Sequence, residues 1–399
     1  MDEIVEVPGV RLGSAAAGIK VAGRRDMVVI ELAERGSCAA VFTRNAFCAA
    51  PVHVARAHLA EGAPRYLLIN SGNANAGTGE QGMRDAEASC AMLAETAGCM
   101  ATQVLPFSTG VIGVNLPIER MRHAMPAALA DLREAGWADA ARAIMTTDTR
   151  PKLVSRSFRI DGVTARVTGM AKGAGMIRPD MATMLAYVAT DLQVEPALLQ
   201  CCLADAVAPS FNSITIDGDT STNDACVLLA SGASELPPVT DASSPAYRQL
   251  AAAVAEVCMT LAREIVRDGE GATKLVEVLV EQAADTAEAR QVAYTIAHSP
   301  LVKTALFASD PNWGRILAAV GRAGLDGLAI ERVELWLDDV CIVRSGGRAD
   351  DYTEAAGQSV MDRSEFTIGV KLGRGDASAR VLTCDFSYDY VKINAEYRT

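Results

Sequence analysis

The chain has 399 residues, half of them hydrophobic and only 5% aromatic, so alanine and aliphatic side chains must fill more core than one small domain holds. Its net charge of −12, with no basic run, excludes a phosphate-tracking nucleic-acid binder and a partner for an anionic membrane surface. Four histidines without HxH or HxxxH spacing, and ten cysteines without a CxxC pair, argue against a metal site and suggest reduced, buried thiols in a cytoplasmic protein.

In chain order, the acidic first ten residues lack the apolar segment of a secretory signal, and no later window approaches the ~20 apolar residues of a membrane helix. Helical and strand patterns alternate, which predicts an α/β protein. Tyr66 to Ile69 predicts a buried strand entering an Asn-Ser-Gly loop. Gly77, Gly79 and Gly82 match GxGxxG, but seven residues separate the motif from the strand and no acid follows at the next strand. Loop glycines are expected there rather than a dinucleotide site. Asp85 to Ala97 predicts a helix, and Gln103 to Phe107 a strand ending in Ser108-Thr109-Gly110. Met184 to Ala189 predicts a strand, Ser231 to Pro245 a surface connection, and Tyr247 to Arg267 a helix with Leu250, Val254, Val257, Leu261 and Ile265 on one face. Asp310-Pro-Asn-Trp-Gly-Arg-Ile316 predicts a turn running into a helix through Val320. Ile330 to Val343 predicts a strand region, and Ala379 to Lys392 a largely alternating strand that would hold the C-terminal tail.

The segment Lys172-Gly-Ala-Gly-Met-Ile-Arg-Pro-Asp-Met-Ala-Thr183-Met-Leu carries the most chemistry. Two glycines loosen the backbone beside a lysine, and Pro179 restricts it before Ala182-Thr183. Breaking the Ala182–Thr183 bond would give Thr183 a free α-amine of pKa ~7.7–8.0, able to take the proton of its own hydroxyl. Acyl transfer could then proceed without histidine; the plainer alternative is an ordinary loop entering a strand. Thr109 and Gly110 at a strand end could supply a hydroxyl and an N–H to an oxyanion, or could simply turn the chain. The run from Asn212 to Asp224 holds Asp217, Asp219 and Asp224 but lacks the glutamate of an EF-hand, so turn capping is favoured over metal binding.

Taken together, these segments resemble the ornithine acetyltransferase family, the bifunctional glutamate N-acetyltransferases of arginine biosynthesis. The resemblance rests on AAVFTRNAFCAAPV from Ala39, STGVIG from Ser108, TTDT from Thr146, KGAGMIRPDMATML from Lys172, DGDTSTND from Asp217, DGEGATK from Asp268, DPNWGR from Asp310 and the terminal EYRT. It implies a layered α/β fold similar to, but connected differently from, the N-terminal nucleophile hydrolases. It further implies self-cleavage at Ala182–Thr183 into residues 1–182 and 183–399, both kept in one intertwined fold with a smaller C-terminal part. The implied assembly is two copies of each piece, with no cofactor and no metal.

The resemblance makes Thr183 the nucleophile, Thr109 and Gly110 the oxyanion hole, and Thr149, Lys172, Thr183, Glu270, Asn394 and Thr399 the substrate-binding positions. The implied reaction moves an acetyl group from N2-acetyl-L-ornithine to L-glutamate through acetyl-Thr183. Lys172 suits a substrate carboxylate and Glu270 an ammonium group. Whether acetyl-CoA is also a donor stays open. The chain departs from the usual family pattern at Asp180, where asparagine is expected; this bears on the cleavage rate and leaves Ala182 and Thr183 intact. The alternative of a different class is a related self-cleaving aminopeptidase, in which water replaces the glutamate amine.

Overall fold

The computed structural model describes residues 4–178 and 184–397, so Met1 to Glu3, Pro179 to Thr183, Arg398 and Thr399 lie outside it. The chain forms two compact units: residues 1–173, 179–212 and 220–265 in the first, and residues 174–178, 213–219 and 266–399 in the second.

The first unit opens with β1 (Val10–Ala15), β2 (Met27–Leu32), β3 (Ser37–Phe42), α1 (Ala50–Glu61), β4 (Tyr66–Asn73), α2 (Gly79–Ala97), β5 (Val104–Val111), α3 (Ile118–Ala130) and α4 (Trp137–Ala143). It continues with β6 (Lys152–Ile160), β7 (Val163–Lys172), β8 (Leu185–Thr190), α5 (Pro196–Val207), β9 (Ala225–Ala230) and most of α6 (Pro245–Arg267). These strands make a four-stranded sheet, β1-β2-β4-β5, and a five-stranded sheet, β3-β9-β8-β7-β6.

Side-chain alternation explains why the two sheets stack. Val28, Ile30 and Leu32 of β2 join Leu67 and Ile69 of β4 in a core shared with Met170, Leu185, Tyr187 and Val227 of the five-stranded sheet. The opposite face of the same strands, Met27, Val29 and Leu68, packs on Cys90 and Leu93 of α2 and Met121 and Met125 of α3. On the outer side of the five-stranded sheet, Gly169 lies against Val257 and Leu261 of α6. The result is a layered α/β unit, the expected class. Strands buried on both faces explain why β8 and β9 read as unbroken apolar runs.

The second unit holds β10 (Leu275–Ala283), α7 (Thr286–Ala297), α8 (Pro300–Phe307), α9 (Trp313–Gly321), β11 (Glu334–Leu337), β12 (Val340–Arg344), β13 (Gly347–Arg348), α10 (Glu354–Met361), β14 (Glu365–Lys371), β15 (Ala377–Cys384) and α11 (Tyr388–Ala395). Its six strands run in the order β13-β12-β11-β14-β10-β15, with β10 and β14 parallel. One aliphatic cluster, including Val278, Val280, Val292, Ile296, Ile342 and Ile368, fills the space between sheet and helices.

One expectation is refined and one needs correction. The strand region from Ile330 to Val343 opens with a helical turn at Ile330–Arg332 and holds two strands, β11 and β12, folded back about Asp338, whose φ is 47°. The alternating pattern from Ala379 to Lys392 is a strand only to Cys384. Asp385 then accepts from the backbone N–H groups of Thr273 and Lys274, and α11 begins at Tyr388. Phe386, two residues before α11, stacks on Tyr390 in its first turn, with ring centroids 4.5 Å apart. Tyr388 and Val391 are exposed, which no buried strand would allow.

Candidate active site

In the first unit the site is built at the ends of β5 and β7. Ser108 is pinned from two sides: its hydroxyl donates to Asn70 Oδ1 at 2.6 Å, and its carbonyl accepts from Asn223 Nδ2 at 3.0 Å. The same Asn223 amide donates to the Ala74 carbonyl at 2.5 Å. Thr109 and Gly110, which follow, pair in parallel register with Ser71 and Gly72. Gly110 holds φ at +137°, and a Cβ there would land on the backbone of Gly72 and Asn73, so only glycine fits.

Lys172, the last residue of β7, is almost fully buried and donates from Nζ to Thr109 Oγ1 at 3.2 Å. A buried cation needs a fixed anion nearby. The Asp148 carboxylate provides one, accepting from Lys152 Nζ at 2.6 Å, from the Gly173 N–H at 2.7 Å and from the Thr146 N–H at 3.0 Å. Burial alone would raise the pKa of Asp148, but Lys172, Lys152 and these donors hold it at about 2, so it stays ionised. Thr149 is the exposed neighbour of this buried acid. Thr146 and Asp148 also line a cavity of about 530 Å³ with Arg24, Arg25 and Arg142.

Asp224 stands at the foot of β9. Its carboxyl is buried, and among the described residues its Oδ2 meets no hydrogen-bond partner. Burial pushes its pKa well above the carboxylate range, against the pull of Ser221 and Lys172. Its backbone carbonyl accepts from Thr43 N–H, and the next N–H, of Ala225, donates to the Met184 carbonyl.

In the second unit Glu270 is buried, and its N–H donates to the Ala174 carbonyl at 2.8 Å. Its Oε2 accepts from Asn394 Nδ2, on α11, at 2.8 Å. Gly175 leaves room for that carboxylate: a Cβ at this position would overlap it. The Ser387 hydroxyl donates to the Gly271 carbonyl at 2.6 Å and fixes the start of α11 beside the Glu270 loop. Burial, followed by the charge of Glu270, raises the pKa of the Tyr397 hydroxyl.

Of the residues expected from the resemblance, Thr109, Gly110 and Lys172 meet in the first unit, and Glu270 and Asn394 meet in the second. Ala182, Thr183 and Thr399 lie outside the described residues. The tail carrying Asn394 is held by a helix, not by the expected strand. Asp148 and Asn223, which organise the first group, sit inside the TTDT and DGDTSTND segments; the signal was present, and only their roles were unassigned. Among the described residues no group of three or more histidine, cysteine or carboxylate side chains is gathered to hold a metal ion. The capping role favoured for Asp217 is what the backbone uses it for: it accepts from the N–H groups of Met176, Ile177 and Asp219.

A family model described as the ArgJ family matches residues 11–399, and the chain belongs to that family. Two relatives carry the name arginine biosynthesis bifunctional protein ArgJ. The one from Methylococcus capsulatus is 62% identical over 98% of this chain and 96% of its own, and the one from Pseudomonas fluorescens is 57% identical over 98% and 97%. A solved structure of the arginine biosynthesis bifunctional protein argJ from Bacillus halodurans is 38% identical with a TM-score of 0.51. It covers 53% of this chain and 99% of its own.

Proposed function

We propose that this chain is an acetyltransferase of arginine biosynthesis that moves the acetyl group of N2-acetyl-L-ornithine to L-glutamate after cutting itself between Ala182 and Thr183. The observation that carries the reading is the hydroxyl of Thr109 receiving Lys172 beside Gly110, whose backbone is fixed at a positive φ against Gly72 and Asn73. Accepting from an ammonium leaves the Thr109 hydroxyl hydrogen as a donor, and the cation strengthens that donor. A hydroxyl and a glycine N–H at a rigid strand end form the pair that a tetrahedral oxyanion requires.

The steps follow from the groups available. The freed α-amine of Thr183 takes its hydroxyl proton, and the oxygen attacks the acetyl carbonyl of acetylornithine. Thr109 and Gly110 carry the oxyanion, ornithine leaves with the proton, and acetyl-Thr183 remains. The amine of glutamate then attacks the same carbonyl and regenerates Thr183. Thr149, Lys172, Thr183, Glu270, Asn394 and Thr399 hold the substrates, with Lys172 on a carboxylate and Glu270 on an ammonium group. The two substrates share their α-carbon substituents, so one site serves both in turn.

The cut is supported by a length: the Bacillus halodurans chain, almost wholly aligned, spans about the share of this sequence that residues 183–399 would take. The same reading makes the working enzyme a cytoplasmic assembly of two copies of each piece, without cofactor or metal. No helix among the described residues is long and apolar enough to cross a membrane.

The deciding experiment is an acetyl balance on the purified protein with acetylornithine and glutamate. The proposal expects acetylglutamate and ornithine in equal amounts; release of free acetate or of a peptide amine instead would favour the aminopeptidase alternative and overturn it. The relatives are named bifunctional, and glutamate with acetyl-CoA alone tests whether acetyl-CoA is a second donor here.

A further inference from the structure

Met176 lies seven residues before Thr183 in the sequence and holds φ at +55°, a left-handed conformation that side chains with a Cβ adopt reluctantly. The residue is 42% exposed, so packing does not hold it there. Hydrogen bonds from one short stretch, residues 215–217, do. Asp217 Oδ2 accepts from the Met176 N–H at 2.6 Å, and Oδ1 accepts from the Ile177 N–H at 2.9 Å. The Ile177 carbonyl accepts from the Ile216 N–H at 2.8 Å and from Thr215 Oγ1 at 2.9 Å. Thr215 Oγ1 lies 3.1 Å from His298 Nε2 in turn. Both backbone polar groups of Ile177 and the N–H of Met176 are thus gripped by three consecutive residues. Ile177, Thr215 and Ile216 are fully buried.

An unsatisfied backbone needs only one partner per group, and water serves at an exposed site. Here both oxygens of one carboxylate are committed to consecutive N–H groups, in a conformation that the residue type resists. Strain persists only where surrounding contacts over-determine it, and such places are concentrated at functional segments.

We propose that Asp217, assisted by Thr215, is a positioning residue for self-cleavage: it holds Met176 and Ile177 so that the chain enters the Ala182–Thr183 segment in one fixed direction. The inference rests on the self-cleavage reading above. Its chemistry is restraint alone: Asp217 makes and breaks no bond, while the Ala182 acyl group moves from the Thr183 nitrogen to its hydroxyl oxygen and water then hydrolyses that ester, leaving a carboxylate on Ala182 and the free amine and hydroxyl on Thr183. Misplacement of a reacting segment by about 1 Å costs on the order of 10²-fold, which sets the size of the effect.

The test uses full-length precursor made by cell-free synthesis, with cleavage followed over time on denaturing gels. Asp217→Ala should cut ~10–100-fold more slowly than wild type. Adding Met176→Gly should restore ~10-fold of that loss, because glycine adopts positive φ without a clamp; a purely structural role for Asp217 predicts no such rescue. Asp217→Asn should not rescue, since its NH₂ would face an N–H that the lost oxygen accepted. The same substitutions in a Thr183→Ala background report folding by thermal unfolding. Should Asp217→Ala prove unfolded, Thr215→Val replaces it, with slowed cleavage expected at an unchanged melting temperature. A wild-type rate in Asp217→Ala or Thr215→Val, or a slow Asp217→Ala that Met176→Gly does not improve, overturns the clamp alone. A wild-type precursor that never cuts overturns the self-cleavage reading and the clamp with it.

Discussion

Lys172 Nζ donates to Thr109 Oγ1 across 63 residues of sequence, joining the end of one sheet's edge strand to the end of a strand in the facing sheet. The contact puts a buried positive charge on the hydroxyl proposed to carry an oxyanion. Thr109→Ala should therefore lower acetyl transfer by ~10²–10³, the range for one preorganised donor, while Thr109→Ser should lose far less. Steady-state rates of acetylglutamate formation decide; equal losses in the two variants would make Thr109 structural only.

The role of Thr183 predicts a covalent difference visible without kinetics. Wild-type protein should separate into pieces of 182 and 217 residues under denaturing conditions, and Thr183→Ala should run as one. Intact mass spectrometry of both proteins measures this directly. An uncut wild-type protein with full activity would end the N-terminal nucleophile reading.

Asn394 donates to Glu270 at 2.8 Å, so its loss should disturb binding rather than maturation. Asn394→Ala should raise KM for acetylornithine and for glutamate by about tenfold, a charge-assisted contact of ~1.5 kcal/mol, with self-cleavage unchanged. Removing residues 394–399 should have a larger effect in the same direction. Unchanged kinetics in the truncated enzyme would show that the tail has no part in binding.

Gly175→Ala should push the new methyl group into the Glu270 carboxylate. The expected cost is ~1–3 kcal/mol of stability, as for overpacking elsewhere, together with a raised KM. Thermal unfolding and substrate kinetics measured on the same preparation test both halves.

His298 supplies a pH prediction. Burial, then the nearby charges of Arg178, Lys303 and Arg322, lowers its pKa to about 4. Its pKa in the unfolded chain is ~6.5, so the unfolded state binds the proton first as the pH falls. The stabilisation is complete above pH ~6.5 and is lost progressively down to about pH 4. With the ring partly open to solvent, it amounts to roughly 2 kcal/mol. Denaturant titrations of wild type and His298→Gln between pH 7 and 4 should show a shallower slope in the variant.

Sequence patterning reached the first unit more fully than the second, for physical reasons. Strands buried on both faces, such as β8, and a long one-sided helix such as α6 leave strong periodic signals. The C-terminal stretch defeated the same reasoning because Phe386, Tyr388, Tyr390 and Lys392 satisfy a two-residue period and a four-residue spacing equally well. What decides between them is Asp385 capturing the N–H groups of Thr273 and Lys274, a contact across more than a hundred residues. The candidate site was legible as a set of motifs, but Asp148 and Asn223 acquire meaning only once folding brings Lys152, Gly173 and Ser108 to them.

The strand order β3-β9-β8-β7-β6 has a consequence for the life history of the molecule. The strands that follow the proposed cut, β8 and β9, lie in the middle of that sheet, with β7 and β3 from the other side of the cut bonded to their flanks. Before the cut, this interleaving assembles within one tethered chain, at a rate independent of dilution. After it, reassembly becomes an encounter between two molecules, and its probability falls with concentration. Self-cleavage would therefore make unfolding harder to reverse: the uncut precursor would refold as one chain, whereas the two pieces of a mature enzyme would first have to find each other at cellular dilution.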